Sequence, residues 1–334
     1  MPQGNGANIA GLQLLLDDGT DLADKLDPRF LDLSLKEQRG GEADELSLTL
    51  HNHDGRLAAP DTGRVLSLSL GWSRGGTATG LVGKGRFRVD EVEERGPPDI
   101  ITIRARSADL GGDYRKRRNQ VWRDTTVGTV LGTIAGRYGV ESRVHPDLAG
   151  LAIGVLEQHG KSDMAFVKDL GSRFDALATW KDRRLLFMPV GAATTATGQP
   201  IPSLSLTRRD GWSWRFSRAD RDENDGAEAE WHDPAEGKRK KVTTGGKKPK
   251  KLKRVYASKA EADQAAKAAA GKGKRGAYQF EYDLAVADMQ IQPNARVKLS
   301  GWNSRIDAIS WLVESVETTL GENGIQQKIS LESV

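Results

Sequence analysis

Residues 42–60 read EADELSLTLHNHDGRLAAP. Leu46, Leu48 and Leu50 alternate with Ser47 and Thr49, so one face is apolar and the other polar, the two-residue period of a half-buried β-strand. The run stops at His51-Asn52-His53-Asp54-Gly55. Asn and Asp accept turn dihedrals by bonding their own backbone, and glycine takes positive φ without steric cost, so this segment predicts the loop of a β-hairpin. The following strand, Val65 to Trp72 (VLSLSLGW), repeats the alternation through Leu66, Leu68 and Leu70. Two such strands point to a β-sheet scaffold.

Moving outward, residues 1–110 read as strands and turns throughout, with Ile100 to Arg106 (IITIRAR) as a further alternating strand after Pro97-Pro98. The period then changes. Val127, Val130, Leu131, Ile134, Ala135 and Tyr138 recur at spacings of three and four, one apolar stripe on a helix, with Asp124 and Thr125 as N-caps and Gly139 as its left-handed end. A second helix is predicted from Ser162, presenting Phe166, Val167, Leu170 and Phe174 to a core, and Leu177 to Val190 returns to strand. Residues 111–195 thus read as a small α+β unit. Gly191 to Gly198 is a connector, followed by Pro200 and Pro202.

Beyond it Leu204 and Leu206 alternate, and after an Arg209-Asp210-Gly211 turn so do Trp212, Trp214 and Phe216. Alternation places these rings, together with Trp302 and Trp311, on one inward face. A third helix, 258–270, is predicted from the capping box Ser258 and Glu261 ahead of an alanine-rich segment that ends near Gly271. Strands resume at Arg296 to Leu299, Ala308 to Val316 and Ile325 to Leu331. No sequence period of about 20 to 50 residues recurs.

At 334 residues the chain is long enough for two or three domains. It has no cysteine, which excludes disulfides, thiolate zinc sites and a cysteine nucleophile. MPQGNGANIA lacks the basic start and apolar core of a signal peptide, and no run approaches the length of a membrane span, so a soluble protein with no membrane partner is expected. The net charge of +4 conceals an uneven distribution. Lys238, Arg239, Lys240, Lys241, Lys247, Lys248, Lys250, Lys251, Lys253 and Arg254 place ten cations and no acid in one run, which leaves −6 for the rest. Directly upstream, Asp220 to Glu236 carries eight acids against one arginine, so the two blocks are able to neutralise each other.

Chemical motifs are incomplete. His51-Asn52-His53 is read as a polar hairpin loop rather than a nuclease trio, and the five histidines form no H-E-x-x-H. Gly80 to Gly85 (GLVGKG) has the glycines and lysine of a phosphate loop, but Gly85 stands where Ser or Thr would hold magnesium, and a turn entering the strand Arg86 to Val92 is the better reading. There is no G-x-S-x-G. Asp90 and Glu93 exemplify carboxylate pairs whose separation sequence does not define, so a solvated face is the default. The basic run has no interleaved aromatic to stack on bases. A loop balanced by the preceding acids and a partner-binding loop are left as even alternatives, with nucleic acid the lesser case of the second.

Several short segments resemble, in order, the late control D family of tailed phages, the baseplate hub proteins, which are also similar to the hub part of type VI secretion spike proteins. They are the D-G-x-L turn and L-G-W strand end of the opening region, Gly85 to Val92, Gly96-Pro97-Pro98-Asp99 and Ile103 to Leu110, followed by Lys161-Ser162-Asp163-Met164-Ala165-Phe166, Ala229-Glu230-Trp231 and Gly301-Trp302. They span from about Asp27 nearly to the C-terminus. The resemblance implies a mainly β fold with an α+β insertion: two tail-tube-like antiparallel β-barrels, from 1–110 and 196–334, around the unit 111–195. Exchange of strands between the barrels is left open.

It further implies a structural, non-enzymatic, cofactor-free hub. Three copies would form a ring joining the sixfold tail tube to the threefold central spike. The partners implied are a homotrimer, the trimeric spike, the tail tube protein and other baseplate proteins, in a tail assembled in the bacterial cytoplasm. The basic run 238–254, expected as a long loop, is where the chain departs most from the family pattern. Two other classes remain as alternatives. A nucleic-acid-binding late-gene regulator predicts a helix-turn-helix or a continuous basic face, and a cell-wall hydrolase predicts a carboxylate pair in a cleft.

Overall fold

The computed structural model describes residues 8–22, 26–40, 43–74, 80–107, 112–181, 183–218 and 225–334. Glu42, the Ala108-Asp109-Leu110 end of one family segment, and residues 220–224 of the acidic block lie outside the described residues. The fold is mainly β. In the first third run β1 (Ile9–Leu16), β2 (Phe30–Gln38), β3 (Glu45–His51), β4 (Val65–Arg74), β5 (Gly80–Arg95) and β6 (Ile100–Arg106). Leu46, Leu48 and Leu50 of β3 and Leu66, Leu68 and Leu70 of β4 are all buried, as their alternation requires.

These two strands do not form a hairpin. β3 pairs with β2 and β6, whereas β4 pairs with β1 and β5. The Asp54-Gly55 turn exists, but Arg29 grips Asp54 through two hydrogen bonds of 2.8 and 2.7 Å and folds the turn back toward the start of β2. Alternation states that one face is buried; it does not state which strand lies alongside. Nor is Gly80 to Gly85 a turn, because β5 runs through it, with an irregularity in its pairing to β4 at Lys84.

The α+β unit contains β7 (Arg117–Thr126), helix α1 (Val127–Arg137), β8 (Glu141–Val144), the single turn α2 (Pro146–Ala149), β9 (Ala152–Ser162), α3 (Asp163–Phe174), β10 (Ala176–Lys181) and β11 (Arg184–Pro189). β7 and β9 form a two-stranded ribbon, and β10, β11 and β8 a separate sheet. The predicted apolar stripe of α1 is buried, but its cap is Thr126, which accepts from Thr129 N at 3.2 Å; Asp124 and Thr125 lie upstream, in β7. Ser162 caps α3 as predicted. Asp163 is fully buried. Its carboxylate accepts from Tyr138 Oη at 2.6 Å, Gln158 Nε2 at 2.7 Å and Arg137 Nη1 at 2.9 Å.

The last third holds β12 (Leu204–Thr207), β13 (Gly211–Arg218), β14 (Gly226–Asp233), β15 (Lys238–Gly245), β16 (Pro249–Tyr256), α4 (Lys259–Lys274), β17 (Tyr278–Leu284), β18 (Arg296–Ser300), the short α5 (Ser304–Asp307), β19 (Ser310–Gly321) and β20 (Gly324–Ser333). β2 pairs with β19, setting Leu33 opposite Leu320, and this joins the two ends of the chain into one twelve-stranded sheet. Its order is β1-β4-β5-β6-β3-β2-β19-β20-β17-β13, with β18 beside β19 and β12 beside β18. Two closed barrels are therefore corrected to one open sheet among the described residues. Each half would have to spend the β2 and β19 edges on itself to close; they are spent on each other. Two cores line it, one around Leu33, Leu35 and Phe87, the other around Phe280, Tyr282 and Trp311.

Candidate functional site

The basic run is not a loop. β15 and β16 flank β14, antiparallel on one side and parallel on the other. Ala227, Ala229, Val242 and Tyr256 of this small sheet pack on the alanine face of α4, Ala262, Ala265, Ala266 and Ala270. So few large apolar residues leave little periodicity to read, and the backbone pairs are what order the segment. Ser258 caps α4 by accepting from Glu261 N at 3.2 Å. The expected reciprocal bond is replaced by a longer reach: the Glu261 carboxylate accepts from Gly154 N at 3.3 Å and Arg173 Nη2 at 3.2 Å, tying α4 to the α+β unit.

The ten cations divide by position. Lys240 lies 2.7 Å from Asp233 and 2.6 Å from Glu236, and Lys241 lies 2.9 Å from Glu228. These hydrogen bonds raise both ammonium pKa values and lower those of Glu228 and Asp233. The Asp225 carboxylate accepts from the backbone N–H of Lys247 and Lys248 at 2.8 and 2.7 Å. The acidic block thus neutralises the β14–β15 hairpin. Lys238, Arg239, Lys251 and Lys253 are exposed. Lys250 and Arg254 alternate with Leu252 and Tyr256, and all four line a groove of about 990 Å³.

α3, α4 and β16 wall this groove. Phe166, Leu170, Leu252 and Ala269 give it an apolar floor, and Lys161, Arg173 and Lys272 add to its cations. Arg173 Nη1 is buried with no hydrogen-bond partner, although Nη2 reaches Glu261. Burial, followed by the Arg254 charge, lowers the Arg173 pKa, and burial lowers that of Lys272. In the sequence reading Lys161 stood only within a family segment, and Arg173 and Lys272 were not singled out, because Lys272 is about a hundred residues from the other two. The alternation at 250, 252, 254 and 256 was the one local signal available.

A second surface is the end of the large sheet. β13 pairs with β17 alone among the described residues. Trp212 is 63% exposed and Trp214 39%, which corrects the expectation of inward rings; Trp311 is fully buried. Arg208 lies over the Trp214 ring at 5.7 Å. The opposite end, β1, carries exposed Ile9, with exposed Leu81 of β5 nearby.

The discarded motifs have structural occupations. Asn52 Oδ1 accepts from Leu57 N at 3.0 Å, which holds the His51-Asn52-His53 loop. Asp90 and Glu93 face Arg106 at 3.5 Å and Arg104 at 3.2 Å. Among family segments, Leu70-Gly71-Trp72 joins the halves, since Trp72 Nε1 donates to Ala287 O at 2.9 Å.

Comparison with known proteins agrees with these observations. Residues 43–324 match the family model of the phage tail baseplate hub (GPD). The probable baseplate hub protein of Escherichia phage 186 is 34% identical, over 98% of this chain and 94% of its own. The crystal structure of the 43 kDa tail protein of prophage MuSo2 from Shewanella oneidensis shares the fold, with a TM-score of 0.67 and 14% identity over 96% of this chain and 98% of that one. So does the E. coli c3393 protein, a component of the type VI secretion system, with a TM-score of 0.57 and 13% identity over 95% and 76% of the two chains. The late-gene regulator reading receives no support from these relatives. Family segments, sheet architecture and relatives converge: the chain belongs to the phage tail baseplate hub family.

Proposed function

We propose that this baseplate hub protein acts as a homotrimeric ring that joins the sixfold tail tube to the threefold central spike of a phage tail or tail-like particle. The observation that carries the trimer is the open sheet whose end strands each pair on one side only among the described residues and bear exposed apolar side chains: Trp212 and Trp214 on β13, Ile9 on β1. Unlike edges that meet head to tail generate a ring when the rotation closes, and closure also removes exposed strand edges. Each copy brings two sheet halves, so three copies present six to the tube and three chains to the spike. Residues 1–110 and 196–334 supply those halves, with 111–195 and the β14–α4 unit as appended modules.

The role is mechanical rather than catalytic, and its energetics are burial and charge complementarity at stacked interfaces. Lys238, Arg239, Lys251 and Lys253, together with the groove residues Lys250 and Arg254, are the basic positions offered to tube, spike or other baseplate proteins. The test is the native mass of the purified, nucleic-acid-free protein at two salt concentrations, alone and with its spike. Three times the chain mass of 36.4 kDa is expected. A monomer under every one of these conditions would overturn the ring.

A further inference from the structure

The groove between α3, α4 and β16 carries a more specific assignment. Its floor is apolar carbon of the partly exposed Leu252 and Ala269, beside the buried Phe166 and Leu170. Six basic side chains line it against two acids, Glu157 and Asp169. Some of that charge is already used: Lys161 pairs with Asp169, Arg275 with Asp175, and one arm of Arg173 with Glu261. Lys250, Arg254 and Lys272 have no salt bridge among the described residues; Lys272 Nζ donates only to the Ser172 carbonyl at 2.9 Å. The buried Arg173 Nη1 lacks an acceptor. A buried donor without a partner is costly, so its position points to an acceptor supplied from outside.

We propose that this groove binds an acidic amphipathic segment of a neighbouring protein, with apolar side chains on the floor and carboxylates on Lys250, Arg254 and Arg173. Charge complementarity selects an acidic occupant, and the apolar floor selects a peptide. A nucleic-acid strand would need exposed aromatic faces for its bases, whereas Phe166 and Tyr256 are buried and Arg254 covers the Tyr256 ring at 5.7 Å. The assignment narrows the proposal that basic strand residues contact a baseplate partner, and rests on it for the partner's being a protein of the same particle.

Fluorescence anisotropy of a fluorescein-labelled peptide alternating Glu and Leu, titrated with the full chain, tests it. Saturable binding is expected, weakening with salt. Lys250→Gln and Arg254→Gln, both at exposed positions, should each weaken binding about fivefold, the upper end for a partly exposed ion pair. Lys253→Gln, which does not line the groove, should leave it unchanged. No binding at low salt by the folded protein, equal loss in Lys253→Gln, or equal affinity for polyglutamate or a single-stranded oligonucleotide would overturn the proposal. Native mass of the same variants keeps the two ideas apart: an intact ring without peptide binding defeats the groove alone, and peptide binding by a protein that never forms a ring defeats the ring alone.

Discussion

Lys84 Nζ lies 2.9 Å from Glu37 Oε2, and each side chain is 4% exposed. The same ammonium donates to Met289 O at 3.1 Å, while Lys181 of β10 sits 2.9 Å from Asp44 and 3.8 Å from Glu37. Burial disfavours the charged Lys181, but Asp44 and Glu37 outweigh it and its pKa rises. The cluster therefore joins β2, β5, the α+β unit and the C-terminal half. Lys84, which stands at the lysine of an incomplete phosphate loop, is a buried structural tie.

Removing one member of that cluster leaves charge buried without its partner. Lys84→Met should destabilise the fold by about 3–5 kcal/mol in urea denaturation, and adding Glu37→Leu should restore part of the loss. A single variant as stable as the parent would contradict this account.

The buried Asp163 makes stability depend on acid. Burial alone would raise its pKa, yet the bonds from Tyr138, Gln158 and Arg137 prevail and lower it. A carboxyl with a lowered folded-state pKa contributes stability above its unfolded value and loses that contribution as pH falls through the folded one. Denaturation midpoints should thus drop over the acid window below the ordinary aspartate value of about 3.9. Asp163→Asn should be less stable at neutral pH and show a smaller acid-dependent drop over that window; an unchanged pH profile would refute the assignment.

Gly71 has no room for a side chain. A Cβ there would stand 2.0 Å from the Gly80 carbonyl oxygen across the β4–β5 pair. Gly71→Ala should cost about 2 kcal/mol, read from the urea midpoint, because backbone rather than a flexible side chain must move.

The exposed rings of β13 should matter to association and little to folding. Trp212→Ser with Trp214→Ser is expected to reduce the trimer fraction in native mass measurements while secondary structure by circular dichroism is retained. Full trimerisation of the double variant would place the ring contact elsewhere.

Much of the local structure was legible. The leucine alternation of β3 and β4, the stripe of α1, and the caps Ser162 and Ser258 depend on residues a few positions apart, and elementary periodicity reports them. The ordered family segments likewise carried the hub assignment without any coordinates. The charged strands β15 and β16 were not legible, since they bury too few large side chains to show a period. Their order comes from backbone pairing to β14 and from the alanine face of α4.

What the sequence by itself determined is which faces are apolar, where helices begin and to which family the chain is related, because each is encoded in near neighbours or in an ordered set of short segments. Only the tertiary structure decided that β3 and β4 lie apart, that β2 meets β19, that Trp212 is exposed while Trp214 stacks on Phe280 with its ring partly exposed, and that α3, α4 and β16 enclose a basic groove. Strand partners and exposure are set by contacts between residues far apart in the chain, and one apolar face is compatible with many of them.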